Sequence, residues 1–109
     1  MVSYFVRYRG SFSDPEAFRA YYENQHSAIL RRFPKIRSLI VHSPASWNDP
    51  MPVQRGDTFL LAQMEFENIG ELDAALRSEL RREAREDFHH FPVFNGEVTH
   101  QAMSGKIVF

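Results

Sequence analysis

Apolar residues fall at alternate positions near the start of the chain and at every third or fourth position soon after. Ser3 to Arg9 is rich in aromatic and β-branched residues, which predicts a strand. Gly10 to Asp14 reads as a turn. The segment Ser13-Asp-Pro-Glu-Ala-Phe18 opens a helix in one of two ways. Asp14 caps it with Pro15 in the first helical position, or Ser13 caps it with Glu16 closing a capping box. Phe18, Tyr22, His26, Ile29 and Phe33 then recur at steps of four and three, one face of a helix. Pro34 ends that helix, because a helical residue before proline is disfavoured.

Ile36 to Ser43 predicts a second strand. Pro44 to Asp57 is a loop with three prolines, Trp47 and Gly56, long enough to act as a lid or a binding segment. Thr58 to Phe66 predicts a third strand, the most apolar one. Asn68 with Glu71 opens a second helix, whose apolar stripe runs through Leu72, Leu76, Leu80, Ala84 and Phe88. Val98 to Met103 predicts the last strand, and Ile107, Val108 and Phe109 form an apolar tail. The order is β-α-β-β-α-β across residues 1–109, with no linker or repeat to divide them, so one domain is expected. The split βαβ solution for that order is a ferredoxin-like α+β fold, a four-stranded antiparallel sheet with two helices on one face.

The second sheet face is expected to be partly apolar as well. Phe59 and Leu61 oppose Leu60, Ala62, Met64 and Phe66 on the third strand, and Phe5 opposes Tyr4, Val6 and Tyr8 on the first. An open sheet with two apolar faces calls for a partner, and a second copy of the chain is the simplest one. A homodimer through the sheet face is therefore expected. At 109 residues a chain buries only about two thirds of its unfolded surface, and pairing would bury more.

Composition narrows the function. A formal net charge of −1 gives no basic excess for phosphates, so nucleic acid is not an expected partner. No apolar run is long enough to span a bilayer, so no membrane association is expected. Arg7 and Arg9 interrupt the first ten residues, which does not read as a secretory signal. Cysteine is absent, excluding thiolate nucleophiles and Cys-ligated metals, and a cytoplasmic location is expected. Aromatics reach 14% with ten Phe, enough to line an apolar pocket for a small apolar ligand.

His26 is the leading candidate for chemistry. It falls on the apolar face of the first helix, one turn from Tyr22. A neutral imidazole suits proton transfer near neutral pH, and an apolar setting lowers its pKa. The same placement also suits a core histidine bonded to a backbone carbonyl. Tyr21 and Tyr22 are suited to orient a carbonyl or phenol, or simply to pack. Asp87 is suited to orient a histidine through its ring N–H, although it stands near the negative end of a helix dipole. His42, His89, His90 and His100 show no metal-ligand spacing, so no metal site is assigned. Trp47 and Met51 are placed as candidate caps of a pocket mouth. Arg7 and Arg9 alternate with aromatics as in an RNA-binding sheet, but the third strand lacks the aromatic-rich octamer that such sheets carry.

The first helix, with Asp14, Pro15, Phe18, Tyr21, Tyr22, His26, Ile29, Leu30 and Pro34, resembles that of the EthD-type proteins of the dimeric α+β barrel superfamily. Asp87, Phe88, Phe91 and Phe94 resemble that family's acid-plus-aromatics segment after the second helix. The resemblance covers most of the chain, but the loop from Ser43 to Asp57 carries no family signature. It implies a dimeric α+β barrel and His26 in acid–base work; placement along the chain adds Tyr22 and Asp87 as catalytic candidates and Phe18, Tyr21, Trp47, Phe88, Phe91 and Phe94 as candidates around a substrate. The implied activity is acid–base chemistry without an organic cofactor, of isomerase, cyclase or monooxygenase type, on a hydrophobic cyclic or aromatic molecule. A non-catalytic ligand-binding or accessory protein of a catabolic or biosynthetic pathway is the alternative. A metal or haem binder is the third reading.

Overall fold

The computed structural model describes residues 1–109. Its strands are β1 (Val2–Phe12), β2 (Ser38–His42), β3 (Leu60–Phe66) and β4 (Phe94–Ser104). They form one sheet in the order β2-β3-β1-β4, and every neighbouring pair is antiparallel. This is the ferredoxin-like α+β arrangement. Tyr4, Val6 and Tyr8 of β1, with Leu60, Ala62, Met64 and Phe66 of β3, are buried beneath the helices. Period-two alternation puts them on one face, and burying side chains of this size stabilises the fold by about 1.5–3 kcal/mol each.

β1 runs three residues past its expected end and β4 starts four residues before its own. Gly10, which reads locally as a turn residue, faces Gly96 across the ladder. Gly10 has φ of 132°, and a Cβ on Gly96 would lie 2.0 Å from the Arg9 carbonyl oxygen. Only two glycines let the backbones pass this closely, and the pair carries the ladder on to Phe12 and Phe94, whose rings stack at 5.1 Å.

The first helical rod consists of α1 (Pro15–Tyr21), a π-helical turn (Tyr22–His26) and α2 (Ser27–Leu30). Asp14 caps it, with Oδ1 accepting from the Ala17 N–H at 3.1 Å. Ser13 instead donates its hydroxyl to the Val93 carbonyl. The wide turn changes the phase of the buried stripe, which runs Phe18, Tyr22, His26, Leu30, Phe33, with Leu30 in the place expected for Ile29. Steps of four residues overshoot a full α-helical turn by about 40°, and one wider π turn absorbs the drift. The Ser27 hydroxyl donates to the Glu23 carbonyl in that turn at 2.5 Å.

The second helical region is not one helix. Asn68 caps α3 (Ile69–Leu76) through the Glu71 N–H at 2.9 Å, and the chain then breaks at Arg77–Ser78. α4 (Glu79–Glu86) follows, ending in a 3₁₀ turn (Asp87–His90). Ser78 donates its hydroxyl to the Ala75 carbonyl rather than capping α4. The apolar stripe continued across the break, so periodicity alone did not reveal it.

The outer sheet face is more polar than alternation suggested. Phe59 leaves that face and turns inward, stacking on Phe12 at 3.7 Å beneath the Arg19 guanidinium. Phe5, Ile40, Leu61 and Met103 remain outside among Ser3, Arg7, Gln63, Glu65 and Gln101. Arg7 and Arg9 both pair with Asp57 there, at 2.9 and 2.7 Å. No helix is long and apolar enough to cross a membrane.

Candidate functional site

The π turn delivers His26 to the inner face of the helical rod, where only 4% of the residue stays exposed. The 3₁₀ turn after α4 brings Asp87 up to it. His26 Nδ1 lies 2.9 Å from Asp87 Oδ2, and Tyr21 donates its hydroxyl to Asp87 Oδ1 at 2.7 Å. His90 Nδ1 approaches the same Oδ1 at 3.2 Å from a largely exposed ring. Three donors converge on this carboxylate, which offsets its place at the negative end of α4.

The charges follow from these contacts. Burial opposes ionisation of Asp87, yet hydrogen bonds from His26, Tyr21 and His90 hold its carboxyl below the ordinary 3.8. Burial pulls His26 below its ordinary 6.5, and the hydrogen bond and charge of Asp87 only partly oppose that. The imidazole is thus neutral at pH 7. An ionised carboxylate can only accept, so Nδ1 carries the ring proton and Nε2 carries the lone pair. Burial, then the hydrogen bond and charge of Asp87, pushes Tyr21 up to about 12. Burial raises Tyr8 and Tyr22 well above 10, so both phenols stay protonated.

Nε2 makes no hydrogen bond within the protein. The one buried side-chain nitrogen or oxygen without a partner is Arg19 Nε, so Nε2 is open rather than sealed. His26 lines a cavity of about 40 Å³ between sheet and helices. Tyr4, Val6 and Tyr8 of β1, Met64 of β3 and His100 of β4 form its floor. Tyr22, His26, Leu30 and Phe33 form one wall, and Leu76, Arg81, Ala84, Arg85 and Phe88 the other. A space of this size holds about three waters, so a ring-sized ligand enters only if side chains on its open side move.

The sequence candidates separate into three groups. His26, Tyr22 and Phe88 line the cavity. Tyr21 and Asp87 stand behind His26 and hold it. Phe18, Phe91 and Phe94 form an aromatic cluster next to the site, with Phe91 4.9 Å from the His26 ring and Phe18 fully buried against Phe91 and Phe94. Trp47 lies outside the cavity wall, 49% exposed, with the Arg55 guanidinium 4.0 Å over its ring.

Sequence reasoning missed Tyr4, Arg81 and Arg85, and weighed His100 only as a metal ligand. His100 Nδ1 lies 2.9 Å from the Tyr4 hydroxyl. Burial, then the charges of Arg81 and Arg85, lowers the His100 pKa. A signal was present: Arg77, Arg81, Arg85 and His89 recur at steps of four. His42 bonds Gln63 on the outer face, away from His100 on the inner one. No three His, Asp or Glu side chains converge in a metal-binding arrangement.

The EthD domain family model matches residues 13–93. An EthD family protein of Bacillus halodurans shares the fold at a TM-score of 0.73 and 19% identity, over 97% of this chain and 100% of that one. A variant of SnoaB, a cofactor-independent oxygenase from Streptomyces nogalater, superposes at 0.65 and 9% identity, covering 98% and 94%. A monooxygenase from the ActVA-Orf6 gene of Streptomyces coelicolor, solved with nanaomycin D, superposes at 0.66 and 13% identity, covering 99% and 88%. No curated protein sequence matches significantly.

Proposed function

This chain belongs to the EthD family, and from that premise we propose that it is a small-molecule enzyme in which His26 acts as general base without an organic cofactor. The carrying observation is the open Nε2 of a neutral, buried imidazole whose Nδ1–H is tied to Asp87. Such a nitrogen takes a proton from an acidic C–H or O–H of a bound ring. The resulting imidazolium is stabilised by the carboxylate behind it. Tyr22, held protonated beside it, donates toward the oxygen on which charge develops. An enolate or phenolate formed this way is common to isomerisation, cyclisation and oxygenation. The oxygenase activity of SnoaB and the monooxygenase activity of the ActVA-Orf6 protein, both of the same fold, support a reaction of this class.

The test is solvent proton exchange. Cyclic ketones, lactones and phenols are incubated with the protein in deuterium oxide, with oxygen uptake followed in parallel. The His26→Ala variant should lower exchange or uptake by about 10²–10⁴-fold. An unchanged rate would overturn the assignment.

The working form in this proposal is a homodimer through the outer sheet face. Phe5, Ile40, Leu61 and Met103 lie there, and Ile107, Val108 and Phe109 project into solvent. The radius of gyration is 15.1 Å, against about 13 Å for a compact chain of this length. A second copy would cover the parts that stand out.

A further inference from the structure

The cavity is lined by two chemically distinct groups. His26 and Tyr22 pack ring to ring at 4.9 Å, while Tyr4 meets His100 at 2.9 Å with the Arg81 guanidinium 5.8 Å over its ring, and Arg85 lines the same cavity. Arg81 and Arg85 lie one turn apart on α4, and neither has a carboxylate partner. Of the acids of that helix, Glu83 pairs with Arg32 at 3.1 Å and Glu79 with Arg82 at 3.5 Å, while Glu86 forms no ion pair. No Asp or Glu lines the cavity. Two like charges at this spacing destabilise a helix, so the arrangement runs against the local interest of α4. The chain carries a net charge of −1, yet it gathers two unpaired guanidiniums at the open side of its apolar cavity. Low-dielectric walls focus such a field on whatever enters.

The charges of Arg81 and Arg85 act on His100, and the two guanidiniums line the same cavity as His26. Planar forks of N–H donors match a carboxylate, and exposed side chains can swing to admit it.

Building on the acid–base reading of the same cavity, we propose that the substrate is a cyclic or aromatic carboxylate. Its anionic group is gripped by Arg81 and Arg85, and its ring extends across Tyr4 and Phe88 toward His26.

Benzoate and its neutral isostere benzamide are the probes. Their binding to the full chain is followed by NMR, read at the side chains of Arg85, His100 and His26. Benzoate should bind at least tenfold more tightly than benzamide, and added salt should erode that preference. The Arg81→Gln/Arg85→Gln double variant should reduce benzoate to the level of benzamide. Equal binding of the two probes to the unaltered protein would overturn the proposal, without any need for the variant. So would a preference that survives in the double variant, or no response of the cavity resonances to millimolar benzoate. Normal solvent proton exchange by His26→Ala would sink the acid–base reading alone and leave the carboxylate grip standing.

Discussion

His26 and Asp87 stand 61 residues apart in sequence and 2.9 Å apart in space. One sits at the end of a π turn and the other at the start of a 3₁₀ turn, so two departures from regular helix build the contact. π turns recur at functional sites because they re-aim side chains that an α-helix would rotate away. Here the pair fixes the tautomer of a buried imidazole and leaves its second nitrogen without a protein partner.

Asp87→Asn keeps an acceptor for Nδ1–H but removes the charge that stabilises an imidazolium. It also sets an amide N–H₂ among the donors from Tyr21, His26 and His90. Stability should fall by about 1–3 kcal/mol in denaturant unfolding. Turnover of a responsive substrate should fall about a hundredfold or more. A variant with full turnover would show that the carboxylate does not assist His26.

The lowered pKa of His26 sets a pH dependence with a definite sign. The unfolded chain takes up the proton near pH 6.5, while the folded chain refuses it until a lower pH. Stability is therefore fully present above 6.5 and falls as pH drops toward the folded pKa. His100 shifts in the same direction and adds to the effect. Asp87 loses its own contribution only below its ordinary 3.8. The urea midpoint should be lower at about pH 5 than at neutral pH, and His26→Asn should flatten part of that difference. By the same sign, kcat/KM should be level at neutral pH and decline on acidification through a pKa below 6.5.

Gly96→Ala forces a Cβ to within 2.0 Å of the Arg9 carbonyl oxygen, and Gly10→Ala places one 2.4 Å from that of Asn95 at a left-handed φ. Each should cost roughly 2–4 kcal/mol and fray the ends of β1 and β4. Gly56→Ala meets nothing within 4 Å and should change stability by about 0.5 kcal/mol or less. Thermal unfolding of the three variants distinguishes them. A tolerated Gly96→Ala would show that this end of the ladder yields.

Removal of Ile107 to Phe109, which are almost fully exposed in one chain, should weaken self-association. Sedimentation velocity over a dilution series reads the change. A dissociation constant equal to that of the full chain would remove the tail from the interface.

Local chemistry was legible in the sequence. Asn68 with Glu71 and Asp14 with Pro15 mark helix starts because capping involves residues three positions apart. Strand faces were legible wherever alternation held, as at Tyr4, Val6 and Tyr8. Non-local features were not. Gly10 read as a turn former, since nothing local shows that it faces Gly96. The break at Arg77–Ser78 lay under an apolar stripe that ran through it. Phe59 left its face because it precedes the first residue of β3. In the candidate site, the burial of His26 followed from its helix face. Arg81 and Arg85 read as solvated surface, because only the tertiary structure sets them over a cavity beside His100.

The central claim is the protonation of one ring, and nitrogen-15 NMR of the His26 imidazole across a pH titration reads it directly. The account predicts a neutral ring at pH 7 with the proton on Nδ1, an unprotonated Nε2, and a pKa below 6.5. A proton on Nε2, or a charged ring at pH 7, would contradict it.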